Sequence, residues 1–153
     1  DQDTLRESCR LATMIKCNQD EVATLFELMG LSLIPLPDIS DSVSLLKAIE
    51  ELRLQLGLDA IMVTRSEKGC MIASRRGSAI GNPVPLDSLG LCTSVVSDPV
   101  GAGDATSAVL LVGWLHAWPI DRIAETANRL GAFVASRPGA TPEIPSDFFG
   151  HSK

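Results

Sequence analysis

The stretch Ser97–Leu111, SDPVGAGDATSAVLL, decides how this chain is read. Two β-branched residues, Val95 and Val96, precede it, and a helix-forming run from about Asp104 to Ala117 follows. Between them stand three small residues, Gly101, Ala102 and Gly103. The order is strand, glycine-rich turn, helix. In open α/β sheets, ligands bind where the carboxyl ends of strands meet helix N-termini. A helix start offers unpaired N–H groups and the positive end of a dipole, so it holds an anion without a lysine. Glycine lets the backbone approach an oxygen closely, because no Cβ intervenes. Asp104 then places a carboxylate beside this cradle, which a loop built only to hold phosphate would avoid. Phosphoryl transfer gives it a purpose: the amides stabilise the moving group, and the aspartate accepts the proton of the attacking hydroxyl.

Other readings of the turn stay open on this stretch alone. An aspartate in a first turn is also an ordinary dipole partner. A dinucleotide fingerprint would need Gly or Ala where Thr106 stands, and an acid about 20 residues on at a strand end; Asp121 falls near that distance but at a helix start. A P-loop would need Gly-Lys-Ser/Thr, which the chain does not contain.

Outward from the turn, strand patterns alternate with helix patterns. Leu5, Cys9 and Ala12 predict a short helix over residues 3–11, and ATMIKCN (12–18) a buried strand. Val22, Leu25, Phe26 and Met29 recur at helical spacing and stop at Gly30. After a proline-punctuated loop at 34–38, Ser40 or Asp41 caps a helix whose expected apolar face is Val43, Leu46, Ile49, Leu52 and Leu56, ending at Gly57. DAIMVTR (59–65) reads as a strand covered on both faces, residues 69–85 as a hairpin turning near Arg76-Gly77, and LCTSVVS (91–97) as a further strand. The last helix runs from Pro119, expected at its first position, to Ser136. The expected fold class is α/β, a layered sheet with helices on its faces, in one domain over residues 1–153.

Composition narrows the function classes. The chain has 153 residues, 45% of them hydrophobic and 21% charged, which suits one globular core. A formal charge of -6 opposes a nucleic-acid or anionic-membrane surface, and aromatics at 4% with no tyrosine oppose base stacking. Neither opposes binding of a nucleotide. Cys9, Cys17, Cys70 and Cys92 form no CxxC pair and read as buried free thiols in a reducing, cytoplasmic setting. No apolar run approaches the ~20 residues of a membrane span, and the polar N-terminus is unlike a signal peptide. Trp114 and Trp118 read as core or interface residues, Arg137 as a partner of carbonyls or solvent, and His116 and His151 receive no role.

Several separated segments together resemble the ribokinase-like carbohydrate kinases, the PfkB family. DPVGAGDATSA (98–108) is similar to that family's D-T-x-G-A-G-D signature, CNQDE (17–21) to its N-x-x-E motif, and VTRSEKG (63–69) to its V-T-x-G-x-x-G loop. ANRLGAFVASRPGATPEIP (127–145) resembles the C-terminal segment that wraps adenine, and its tail is similar to fructokinase-type members. The resemblance implies a kinase that transfers the γ-phosphoryl of ATP to a sugar hydroxyl, fructose or a related sugar. It makes Asp104 the catalytic base and the Gly101, Ala102, Gly103 and Asp104 amides the anion hole. Asn18 and Glu21 belong to the magnesium end, with Glu21 on Mg2+ partly through water, and a single carboxylate is chemically sufficient when phosphate oxygens and waters complete the shell. Thr64, Ser66 and Gly69 lie near the nucleotide phosphates, Asn128 near the purine, and Asp98 near a K+ site.

The chain departs from the pattern at Ser66 (for the first Gly of the nucleotide loop), Thr106 (for Phe) and Val109 (for Gly). It begins about where the sugar-binding first half of family members ends, so it reads as the C-terminal, nucleotide-binding half. A homodimer, on this resemblance, would form through the absent half. Asn18 and Glu21 also fit an ordinary helix start, and Asn128 also fits a solvent-facing helix position. A non-catalytic nucleotide-binding module of the same fold and, more weakly, a dinucleotide-binding domain are the alternative functions.

Overall fold

Buried runs bounded by turn residues become strands, and the amphipathic runs between them become helices, in the computed structural model of the chain. The elements are α1 (Gln2–Leu11), β1 (Met14–Asn18), α2 (Gln19–Leu28), α3 (Ser42–Leu56), β2 (Ala60–Thr64), a 3-10 turn (Ser66–Lys68), β3 (Cys70–Ser74), β4 (Gly77–Gly81), α4 (Ala102–Leu115) and α5 (Ile120–Ala135). The structure describes residues 2–30, 40–85, 100–146, 148 and 149. The expected strand over 91–97, the loop at 34–38, Cys92, Asp98 and His151 lie outside the described residues. The fold class is the expected α/β one, with a mixed sheet. The chain groups into two compact units, residues 1–66 with 70–80, and residues 67–69 with 81–153.

The first unit is built on the sheet, in the order β1-β2-β3-β4. β1 and β2 are parallel, in a register running from Met14 opposite Ala60 to Asn18 opposite Thr64. Their long connection through α2 and α3 permits that direction; the short link from β2 to β3 permits only the antiparallel pairing observed. Ala60, Ile61, Met62 and Val63 are fully buried, as a run covered on both faces requires. The hairpin turns at Arg75-Arg76, where Ser74 Oγ donates to the Gly77 carbonyl at 2.7 Å and accepts from Arg76 N at 3.1 Å.

One apolar cluster joins Ile61, Val63 and Met71 of the sheet to Cys9 of α1, Val22 and Phe26 of α2, and Leu45, Ile49 and Leu52 of α3. The buried face of α3 differs from the expected one. Leu45, Ala48, Ile49 and Leu52 are inside, Leu46 and Leu56 are half-buried, and Val43 is 57% exposed. Because Leu45 and Leu46 are adjacent, two registers of the same period fit the sequence, and packing selects the one starting at Leu45. The helix is capped by Asp41, which accepts from Ser44 N at 2.9 Å, and ends at Gly57 with φ +66.

The second unit is built on α4 and α5, joined by residues 116–119. α4 starts at Ala102, two residues ahead of the expected Asp104, and Pro119 is the N-cap of α5 and not its first residue. Its ψ of 142° is extended, so the helix begins one residue later. Two glycines let these helices close on each other. A Cβ on Gly113 would lie 2.6 Å from Ile123 Cγ1, and one on Gly131 would lie 2.9 Å from Thr106 Cγ2.

Candidate functional site

Within the first unit, the parallel register brings the carboxyl ends of β1 and β2 side by side, and four expected site residues stand there. Asn18 ends β1 and caps α2: its Oδ1 accepts from Glu21 N at 3.0 Å, while Glu21 Oε2 accepts from Asn18 N at 2.8 Å. This reciprocal pair is a capping box, and it gives the N-x-x-E spacing a physical meaning independent of any ligand. Both residues are exposed, and Glu21 Oε1 takes no part in the box. Thr64, opposite Asn18, reaches back with Oγ1 to the Cys17 carbonyl at 3.4 Å. Ser66 is exposed and left-handed, with φ +51.

In the second unit, Gly101 caps α4 with φ +85 and offers no side-chain hydrogen bond to the helix. The leading amides of α4, those of Ala102, Gly103 and Asp104, are among the N–H groups that a helix cannot satisfy internally. Ala105 N, by contrast, donates to the Gly101 carbonyl at 2.9 Å. Thr106 Oγ1 and Ser107 Oγ both donate to the Gly103 carbonyl, at 2.8 and 2.9 Å. These bonds hold the first turn by its acceptor and leave its donors alone. Asp104 is exposed in that turn. A Cβ on Gly101 would overlap the Ala140 carbonyl oxygen and lie 2.8 Å from the Ala140 Cα. Glycine is therefore required at residue 101 by conformation and by space at once.

The same unit places Gly69 and Asn128 together. Asn128 is buried, 8% exposed, so the solvent-facing reading of this position is wrong. Its Nδ2 donates to the Asn82 carbonyl at 2.9 Å and would be 2.8 Å from a Cβ on Gly69. Ala140, Gly81 and Asn82 are the neighbours that sequence reasoning missed. Only the Gly81-Asn82-Pro83 turn pattern hinted at them. Arg137 lies 5.0 Å over the Phe133 ring and Arg122 lies 4.2 Å over the Trp118 ring, so both aromatic partners are structural.

Among the described residues, no group of three or more His, Cys, Asp or Glu side chains is arranged to hold a metal ion. A Mg2+ ion at Glu21 would take the rest of its shell from water and phosphate oxygens, as its chemistry favours. Cys9, Cys17 and Cys70 are free, buried thiols, as expected. Burial, with the Glu21 carboxylate adding to it, pushes Cys17 up to about 12, and burial pushes Cys70 up to about 12. Neither is a nucleophile near neutral pH.

A model of the pfkB family carbohydrate kinases matches residues 1–147. The bifunctional protein HldE of Methylobacillus flagellatus is 36% identical over 102 residues, which are 67% of this chain and 19% of that protein. HldE of Trichlorobacter lovleyi is 28% identical over 109 residues, 71% of this chain and 21% of that protein. The chain thus spans about a fifth of the length of these curated relatives. A Burkholderia thailandensis nucleoside kinase in complex with inosine shares the fold with a TM-score of 0.66 and 26% identity, over 92% of this chain and 38% of that one. Phosphofructokinase-2 from Escherichia coli gives 0.64 at 16% identity, over 89% and 39%, a likeness of fold.

Proposed function

The chain belongs to the pfkB family of carbohydrate kinases, and from that premise we propose that it is the nucleotide-binding and catalytic part of an enzyme that moves the γ-phosphoryl group of ATP to a sugar hydroxyl. The observation that carries the proposal is the start of α4: a helix with no side-chain cap, opened by a left-handed glycine, with an exposed carboxylate in its first turn. The amides of Gly101, Ala102, Gly103 and Asp104 hold the transferred group where charge develops. Asp104 accepts the proton of the attacking hydroxyl, so the oxygen that bonds to phosphorus is the more nucleophilic alkoxide-like form. Holding both groups on one turn fixes their separation and removes an orientational cost.

Glu21 and Asn18 are assigned to the magnesium end, Thr64, Ser66 and Gly69 to the nucleotide phosphates, and Asn128 with the tail to residue 145 to the base end. Magnesium, when bound, screens the charge that would otherwise repel the nucleophile from the phosphate. A K+ ion near Asp98 belongs to the same proposal. The fructokinase-like tail favours fructose or a related sugar as acceptor. Three buried free thiols suit a reducing cytoplasm.

The second reading is a nucleotide-binding module without turnover. It is favoured by Ser66, a non-glycine residue in the left-handed region at the nucleotide loop, and by the engagement of Glu21 in a capping box. Asp104→Asn in the full-length protein separates the two. Sugar phosphorylation, measured across a panel that includes fructose, falls by ~10^2- to 10^4-fold, while MgATP affinity from calorimetry stays within about threefold. Turnover at the parental rate in that variant refutes the base assignment. Tight NAD binding without MgATP binding refutes the kinase reading altogether.

A further inference from the structure

We propose that Asn128, beyond its place at the base end, is a positioning residue for the nucleotide loop, acting through Gly69 and Asn82; this deepens, and rests on, the nucleotide-binding reading above. Three backbone segments of the second unit converge on its amide. The first is the turn at 67–69 that leads into β3, the second is the exit of β4 at Gly81-Asn82, and the third is α5 itself. Nδ2 donates to the Asn82 carbonyl at 2.9 Å, and the residue is 8% exposed.

The two glycines show how closely the amide is enclosed. Gly81 does not have a positive φ, so backbone conformation does not call for glycine there. Space does: a Cβ would collide with Asn128 Nδ2 and stand 3.0 Å from the Ala124 carbonyl oxygen. Gly69 has φ +84, and a Cβ on it would overlap the Gly81 carbonyl oxygen and lie 2.8 Å from the same Nδ2. Asn128 therefore occupies the volume that side chains at residues 69 and 81 would fill. Asparagine is a mediocre helix former in mid-helix, and its use here is accounted for by a donor that reaches across to a second backbone segment. Swinging that amide away would give up the Asn82 bond and vacate the space that the two glycines leave for it. The orientation of the Gly69 peptide, and with it the loop assigned to the phosphates, follows from where this amide sits.

A double-mutant cycle between residues 81 and 128 tests the assignment. Asn128→Ala is expected to weaken MgATP binding by about tenfold, the worth of one net hydrogen bond. Gly81→Ala alone also weakens it, because the new methyl meets the amide. In Asn128→Ala/Gly81→Ala the methyl no longer meets an amide while the Asn82 bond stays lost, so the double variant binds within about threefold of Asn128→Ala and the two losses do not add. Residues that act independently give losses that add, so a double variant weakened by the product of the two single losses overturns the proposal. So does an Asn128→Ala variant that binds as the parent does. Should Asn128→Ala fail to fold, Asn128→Asp keeps the shape and replaces the donor by an acceptor facing Asn82, and it is expected to show the same tenfold loss. Amide NMR separates this proposal from the functional reading. If the parent binds no MgATP, the functional reading fails, while displaced Gly69 and Asn82 amide signals in Asn128→Ala still report the clasp, and unmoved signals refute it.

Discussion

Ser66 holds φ at +51 in the 3-10 turn, where an L side chain costs roughly 1–2 kcal/mol per residue. Ser66→Gly removes that strain and gives back ~0.5–1 kcal/mol through the greater freedom of glycine in the unfolded chain. The expected result is a gain of ~0.5 kcal/mol, seen as a higher urea midpoint at unchanged m. A lower midpoint would mean that the serine hydroxyl compensates the strain. Gly101 is the opposite case. Gly101→Ala adds left-handed strain, ~1–3 kcal/mol, to overlap with the Ala140 backbone, ~1–3 kcal/mol for overpacking. A loss of ~2–6 kcal/mol is expected, and with it the proposed anion hole; a variant that melts with the parent would show that the 138–141 segment is free to move aside. Asp104 and the glycines around it were legible in sequence because the chemistry of the turn is contiguous. The Asn128–Asn82 bond and the Gly101–Ala140 contact were not, since they join backbone atoms distant in sequence and leave no local periodicity.

Three helix starts show how local rules and function divide the chain. α2 is capped by the Asn18–Glu21 box, α3 by Asp41, and α4 by no side chain at all. α5 also lacks a side-chain cap, behind Pro119, but α4 alone of the four opens on a left-handed glycine followed by an exposed carboxylate, and that departure marks the candidate site. At α3 the Asp41 carboxyl is held below its ordinary value of 3.8, first by the Ser44 hydroxyl and then by backbone amides. A lowered native pKa stabilises the fold above the unfolded value, and that stabilisation disappears as pH falls through the native one. Asp41→Ala is therefore expected to lower the melting temperature at pH 7 and to flatten its decline between pH 5 and 3; an unchanged acid limb would remove Asp41 as a capping charge. Among the described residues, the order and type of the helices and strands were readable from periodicity and turn residues, including both the hairpin and the Gly57 stop. The register of α3 was not, because adjacent leucines satisfy two stripes equally. The start of α4 was placed late because Asp104 looks like a first-turn acid, while the backbone already turns helical at Ala102.

At the scale of the molecule, a chain spanning about a fifth of its curated relatives still encloses a closed apolar cluster in its first unit. Cys17 of that cluster, and Cys70 buried at the start of β3, give the unit a titratable signature. Burial pushes the Cys17 and Cys70 thiols from 9.0 up to about 12. Above pH 9 the unfolded chain releases these protons and the folded chain keeps them, so the native state binds more protons and stability falls as pH rises. The contribution is complete below pH 9 and is lost as pH climbs toward 12. Each thiol contributes a slope of about 1.4 kcal/mol per pH unit inside that window. Between pH 8 and 10.5, urea unfolding should therefore show a loss of ~2 kcal/mol per thiol. The absence of tyrosine keeps phenol ionisation out of the window. Self-repulsion from the net charge of -6 acts alike on parent and variants, so the difference between them isolates the thiols. Cys17→Ala and Cys70→Ala each lower stability at pH 8 by leaving a small cavity, and each loses less than the parent on going to pH 10.5. Curves that run parallel to the parent's would mean that one or both thiols reach solvent, and that the covered sheet face opens more readily than its packing indicates.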